Sequence, residues 1–330
     1  PFTGLPFPVQ ALFVSALLLS LAQLAAVLQL TWRSIREQHR REELHGSYEA
    51  HDETAYLWVF MVPALNEAVT IRDTVDRLTR IEASNKVFII INDGSTDDTG
   101  EILATYSNPD LMTMTRVAPN ARLGKAAALN AAWADISSFI DPEVFARFGD
   151  ERTLVVIVDA DGRLDADFAD SVAERFNNPK VGGAQLAVRI YNRKRPLAYM
   201  QDVEFRMFGS TFQLGRSSWG TAGMGGNGQI NRLRALDEIG AMNIAAGSAT
   251  GPWRDRLTED QDLGLSLIEC GWANRQEMTH AVNQQGLSSY RRLFRQRVRW
   301  CQGNMQAIAR WRGMLRAPIT KLAKIDAMFW

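Results

Sequence analysis

Asp159-Ala160-Asp161-Gly162 sets two carboxylates one residue apart, directly after the apolar run Leu154–Val158. Like charges this close repel unless a cation lies between them, and oxygen-only donors suit Mg²⁺ or Mn²⁺. Such an ion would also bridge a diphosphate and neutralise it as it departs. The plainer alternative is that one aspartate caps a turn and the other faces water. Arg122-Leu123-Gly124-Lys125 stands at the mouth of an Ala-rich helix. A lysine there opposes the helix dipole, which favours anions, so either a bound phosphate compensates it or the side chain simply reaches into solvent. The segment is no Walker loop, because the first glycine is missing and Ala126 stands where Ser or Thr belongs.

Thr258-Glu259-Asp260 precedes a helix-like run, Leu263–Glu269. Asp260 is either a helix cap with acids in the first turn or a general base, a role worth about 10²- to 10⁴-fold in rate. Gln296, Arg299 and Trp300 lie at i, i+3 and i+4 in an arginine-dense stretch and share one helical face. That face offers an amide, a guanidinium and an aromatic plate, while the whole stretch also reads as an amphipathic helix on anionic lipid. Two further polar pieces follow apolar runs: Pro63-Ala64-Leu65-Asn66-Glu67 and Asn92-Asp93-Gly94-Ser95-Thr96-Asp97. Each alone reads equally as an ordinary turn. Gly223-Met224-Gly225-Gly226-Asn227-Gly228 fits a dinucleotide fingerprint, but it follows no first strand of a βαβ unit and no acid lies about 20 positions on. Its glycines more simply let backbone approach a sugar or chain end.

The elements that must hold these groups are legible. Tyr56–Val62, ended by Pro63, Lys86–Ile91 and Leu154–Val158 are continuous apolar runs, the pattern of strands buried on both faces of a parallel sheet. Stretches at helical spacing, 68–81, 97–106 and 124–134, lie between them. The expectation is an α/β fold with an open twisted sheet, its ligands at the carboxyl ends of the strands.

Pro1–Trp32 carries no charge, and its apolar stretch is long enough to cross a bilayer. Arg33, Arg36, Arg40 and Arg41 follow at once, which orients the next segment to the cytoplasm and the N-terminus outward. A cleaved signal or a buried core helix is the alternative. The expected division is a transmembrane helix over 1–32, a charged connector over 33–55, a donor and metal domain over 56–250, an acceptor and catalytic segment over 251–315, and the start of a second membrane helix over 316–330. Thirty-seven basic and thirty-seven acidic side chains leave no net charge, hence no electrostatic reason for a nucleic-acid partner. With 46% hydrophobic residues and only Cys270 and Cys301, neither disorder nor a disulfide scaffold fits.

Taken in order, Asn66-Glu67, Asp93, Gly124-Lys125, Asp159-x-Asp161, Thr258-Glu259-Asp260 and Gln296-x-x-Arg299-Trp300 resemble the inverting glycosyltransferases of family 2 over roughly residues 56–315, specifically the membrane-bound processive branch of cellulose, chitin and hyaluronan synthases. The resemblance implies a GT-A fold, C-terminal interface helices, a UDP-sugar donor with UDP-glucose favoured, Mg²⁺ or Mn²⁺, a polysaccharide acceptor, and an inner-membrane enzyme whose catalytic domain faces the cytosol. It implies that Pro63, Glu67 and Asp93 hold uridine and Lys125 the diphosphate. Asp159 would lie by the nucleotide and, with Asp161, hold the metal. Asp260 would be the base, Arg299 would meet the leaving diphosphate, and Glu259, Gln296 and Trp300 the acceptor. Processive synthases that export polymer carry several membrane helices, so truncation of this chain or a partner pore or export subunit is expected. A single-sugar transferase acting on a lipid acceptor and an inactive membrane scaffold are the other readings.

Overall fold

In the computed structural model, residues 4–44 and 52–327 are described. Four strands, β1 (Leu57–Ala64), β2 (Lys86–Asn92), β3 (Leu111–Thr115) and β4 (Thr153–Ile157), run parallel in the order β3-β2-β1-β4. Alternation explains the apolar runs. Trp58, Phe60, Val62, Phe88, Ile90, Leu154 and Val156 enter one core, and Leu57, Val59, Met61, Ile89, Ile91, Val155 and Ile157 the other. Both faces are therefore covered, which a parallel sheet built from βαβ crossovers requires. On the first face lie α2 (Ile71–Leu78), α3 (Thr99–Ala104) and, later in the chain, a helix headed by Phe168, whose ring meets Trp58 edge-on at 5.4 Å. The second face is covered by α4 (Lys125–Ala134) and α5 (Pro142–Phe148) together with helices that follow Arg232 and Thr258.

The other half of the sheet departs from the expected parallel pattern. β5 (Arg163–Leu164), β6 (Val181–Ile190), β7 (Gln229–Arg232) and β8 (Ala273–Gln284) extend it as β4-β7-β6-β8-β5, with β7 antiparallel to both β4 and β6. β7 reads Gln-Ile-Asn-Arg, with no apolar run to announce it. Its backbone is drawn in by the open edge of β4, and the Arg232 guanidinium holds the carbonyls of Phe176 and Val181 at 2.7 and 3.0 Å.

Pro63 also corrects an expectation, because it does not end the first strand. It stands opposite Ile91 of β2. The Leu57 N–H points to the β4 side, toward the Arg152 carbonyl, and Pro63 shares that parity. Pairing with β4 stops at Met61, so the N–H that proline lacks has no partner to miss.

The remaining helices are α6 (Phe168–Phe176), α7 (Pro196–Met207), α8 (Leu214–Ser217), α9 (Leu233–Ala245), α10 (Glu259–Glu269), α11 (Tyr290–Ala307), α12 (Trp311–Arg316) and α13 (Lys321–Ala327), with a π-helical turn over Phe208–Gln213. The N-terminal apolar segment is one helix, α1 (Phe7–Leu44), long and apolar enough to cross a membrane, with its most apolar stretch exposed. It continues through 33–44, where a connector is expected, and buries Leu30, Ser34 and Glu37 against the domain. Gly215 permits this: a Cβ there would lie 2.5 Å from the Leu30 carbonyl oxygen. The stretch 45–51, and 328–330 of the expected second membrane helix, lie outside the described residues; α13 covers 321–327.

Candidate active site

Lys125 is the first residue of α4, after Gly124 at φ 100°, and its ammonium lies 2.5 Å from Asp159 Oδ1 and 3.7 Å from Glu259 Oε1. One cation thus joins the end of β4 to the start of α10. Asp260 stands beside it: a Cβ on Gly226 would lie 2.8 Å from Asp260 Oδ2 and 3.4 Å from Lys125 Nζ. Gly226 has φ 79°, a left-handed backbone that glycine adopts without a Cβ clash.

The electrostatics follow from this crowding. Burial pushes the Asp260 carboxyl up, Glu259 pushes it further, and Lys125 only partly opposes them, so it titrates at about 7. Burial by itself would depress the Lys125 ammonium, but Asp159, Glu259 and Asp260 reverse this and hold it charged above its usual range. Asp161 is likewise raised, by burial first and then by Asp159 and Glu67. The folded protein therefore binds protons that the unfolded chain has released. Through Asp260, stability is fully present below about pH 4, the unfolded value, and is lost as pH climbs through about 7.

Glu67 and Asp93 occupy the neighbouring strand tips. Asn66, at φ 58°, clips them together: its Oδ1 accepts from the Thr96 N–H at 2.8 Å and its N–H donates to Ser95 Oγ at 3.0 Å. Asp97 accepts from the N–H groups of Ala68 and Thr99 at 3.1 Å each. Glu67 accepts the Thr70 hydroxyl at 2.8 Å. Asp93 is buried and bonded to Arg116 at 2.5 Å. Among the predicted site residues, then, Lys125, Asp159, Glu259 and Asp260 meet directly. Asp161 lies within electrostatic reach of Asp159 and Lys125 and also of Glu67, and Pro63 and Asp93 flank them at the tips of β1 and β2.

Gln296, Arg299 and Trp300 stand on α11, which reaches α10 farther along its length: a Cβ on Gly303 would lie 2.5 Å from Thr258, and Gln306 Oε1 accepts the Leu257 N–H at 3.2 Å. Gly303 is one helical turn beyond Arg299 and Trp300. Arg299 is exposed, and no bond joins it to the carboxylate cluster among the described residues. The Trp300 ring is flanked by the Arg297 guanidinium at 4.4 Å and by Phe205 edge-on at 6.2 Å. Asp161 itself opens onto a cleft of about 160 Å³, lined also by Gln285, Gly286, Leu287, Ser288 and Arg292.

Several contributors give no sequence signal of their own. Asn227 accepts the Asp159 N–H at 3.1 Å, and Gln185 ties down the glycine segment through Gly225 N–H and Asn227 O, both at 2.8 Å. Asp262 takes two bonds from Arg254 at 2.7 and 2.8 Å and a third contact from Arg310 at 3.2 Å, pinning α10 from both sides. Only the glycine cluster around Gly226 hints at close backbone approach. Asp159 and Asp161 fit a hard cation in their oxygen chemistry; burial is the main reason the Asp161 carboxyl is raised, and the like charge of Asp159, which a cation would relieve, raises it further. Among the described residues no group of three or more His, Cys, Asp or Glu is placed to hold a metal ion by itself, so other ligands would come from a bound diphosphate and water.

The sequence model of the glycosyltransferase-like family 2 matches residues 58–303. A β-monoglucosyldiacylglycerol synthase from Nostoc is 28% identical over 275 residues, 82% of this chain and 52% of that protein. A poly-β-1,6-N-acetyl-D-glucosamine synthase from Staphylococcus epidermidis is 26% identical over 253 residues, 76% of this chain and 55% of that one. The chain thus spans about half the length of the curated relatives it matches. A mannosyltransferase from Pyrobaculum calidifontis, solved with GDP-Man and Mn²⁺, superposes with a TM-score of 0.63 at 19% identity, covering 94% of this chain and 78% of its own. That likeness shows the GT-A-like fold.

Proposed function

The chain belongs to the glycosyltransferase-like family 2, and from that premise we propose that it is an inverting hexosyltransferase at the cytoplasmic face of the inner membrane, extending a β-linked polysaccharide from a UDP-sugar, UDP-glucose foremost. The observation that carries the reading is the Lys125 ammonium between Asp159 and Glu259, with Asp260 alongside. A site of this charge pattern suits a diphosphate on the Lys125 side and a hydroxyl on the Asp260 side. In the proposed division, residues 56–250 take the donor and residues 251–315 the acceptor.

Asp260 removes the acceptor hydroxyl proton as that oxygen bonds to the anomeric carbon. The bond from that carbon to the diphosphate breaks, and its electron pair leaves with the nucleoside diphosphate. Attack from the face opposite the leaving group turns an α-linked donor into a β-linked product. Lys125 and Arg299 meet the departing negative charge, Pro63, Glu67 and Asp93 border the nucleoside, and Glu259, Gln296 and Trp300 orient the acceptor. Asp159 and Asp161 would hold Mg²⁺ or Mn²⁺, which would supply further charge neutralisation. Because the base must be ionised, kcat/KM is expected to rise with pH through a midpoint near 7 and then level off. A profile flat from pH 5 to 9, read as nucleoside diphosphate release from UDP-glucose, would remove Asp260 as the base. Chelation with EDTA is expected to stop that release, and Mn²⁺ or Mg²⁺ to restore it.

The shared Gln296, Arg299 and Trp300 face and the relationship to poly-N-acetylglucosamine synthases support a polymeric product. The relationship to a glucosyldiacylglycerol synthase supports a second reading, one sugar added to a lipid. Sizing the radiolabelled product made in membranes separates them: a ladder of lengths marks the first and a single glycolipid band the second.

A further inference from the structure

A second cavity, of about 180 Å³, lies between β6, α7, the π-helical turn and β8, lined by Ala187, Arg189, Phe205, Arg206, Ser210 and Met278. Its walls combine an aromatic ring, a thioether and aliphatic carbon with two guanidinium groups. Arg206 bonds Asp202 at 2.8 Å, and Arg193 reaches the same carboxylate at 3.7 Å. The Arg189 side chain, unlike its backbone in the β6–β8 ladder, makes no hydrogen bond or ion pair among the described residues. Asp202 brings one negative charge against the guanidinium groups of Arg193, Arg206 and Arg189, and an anion completes the balance.

The depth of the cavity points to the source of that anion. Ser34 of α1 donates its hydroxyl to the Ser210 carbonyl on the cavity wall. Ser34 is two residues past Trp32, where the uncharged stretch of α1 ends, which is about 3 Å of helix rise. If α1 crosses the bilayer, the cavity mouth lies within the roughly 5–7 Å headgroup layer on the arginine-rich side. Met207 and Phe208, 61% and 47% exposed, project beside it.

We propose that this cavity binds an anionic phospholipid: its phosphate on Arg189 and Arg206, its acyl chains along Phe205, Met207, Phe208 and α1. The site goes beyond the donor and acceptor reading and rests only on α1 as a membrane span. It also touches the acceptor side, because the Phe205 ring that walls it packs on Trp300.

Native mass spectrometry of the detergent-purified full chain, titrated with phosphatidylglycerol or phosphatidylcholine of matched acyl chains, tests this. The chain is expected to retain one phosphatidylglycerol about tenfold or more tightly than phosphatidylcholine, and Arg189→Gln with Arg206→Gln to erase the difference. Ser210→Glu, which keeps both arginines and adds a negative charge at an exposed position, is expected to erase it too. Undiminished selectivity in folded double variant or in Ser210→Glu overturns the site, as does equal affinity for the two lipids in the wild-type chain. Glycerol 3-phosphate at the same concentration should leave the lipid bound; displacement would mean a soluble phosphate ester as ligand and would overturn the lipid assignment. Binding is read without turnover, so this result stands or falls apart from the proposed reaction.

Discussion

Asp260→Asn is expected to lower turnover by about 10²- to 10⁴-fold while leaving UDP affinity within a small factor of wild type. The asparagine side chain keeps the size of the carboxylate, and its amide oxygen is still able to accept the Gln261 N–H bond that Oδ1 takes at 2.7 Å. Gly226 beneath it leaves room for the same rotamer. What the variant loses is the ability to take a proton. It also removes one of the negative charges around Lys125, so donor binding has no electrostatic reason to weaken. Turnover is measured as UDP release with acceptor present, and affinity by calorimetric titration of UDP. Wild-type turnover would exclude Asp260 as the base, and a collapse of UDP binding with turnover would mark it as a donor contact.

Lys125→Met is expected to cost about 10²- to 10³-fold in kcat/KM, the scale seen when one preorganised group facing developing negative charge is removed. Two effects combine. The donor diphosphate loses its partner, and Asp159, Glu259 and Asp260 are left facing one another without the cation that lies 2.5 and 3.7 Å from the first two. With Lys125 no longer opposing burial and Glu259, the Asp260 carboxyl should titrate above its present value of about 7. The pH profile should therefore shift to higher pH as well as fall, and raising the pH should recover part of the loss. A uniform fall with an unmoved midpoint would show that Lys125 serves the donor alone.

Much of the fold and part of the site were legible because their signals are local. The runs at 57–62, 87–91 and 154–158 are apolar at every position, since both faces of each strand are covered. Glu67, Asp93, Asp159 and Asp161 could be picked out because each comes shortly after such a run, and Lys125 because it stands at the mouth of an Ala-rich helix. The face shared by Gln296, Arg299 and Trp300 needed only the helical repeat. Other features had no local signal. Asp93 reads as an open hydrogen-bond acceptor until Arg116, 23 residues away, is found against it. Trp300 reads as a free plate until Arg297 and Phe205 are found around it.

From the sequence by itself came three of the four parallel strands, the N-terminal apolar helix, and the order of acidic, basic and aromatic groups along the chain; β3, Leu-Met-Thr-Met-Thr, was not announced. Only the tertiary structure decided that one ammonium joins Asp159 to Glu259, that Gly226 and Asn227 underlie this junction, and that β7 continues the sheet in the opposite direction. The physical reason is range. Apolar periodicity and capping act within one element and are written in consecutive residues, whereas the charge of Lys125 is shared with a carboxylate more than a hundred positions away, and only packing brings the two together.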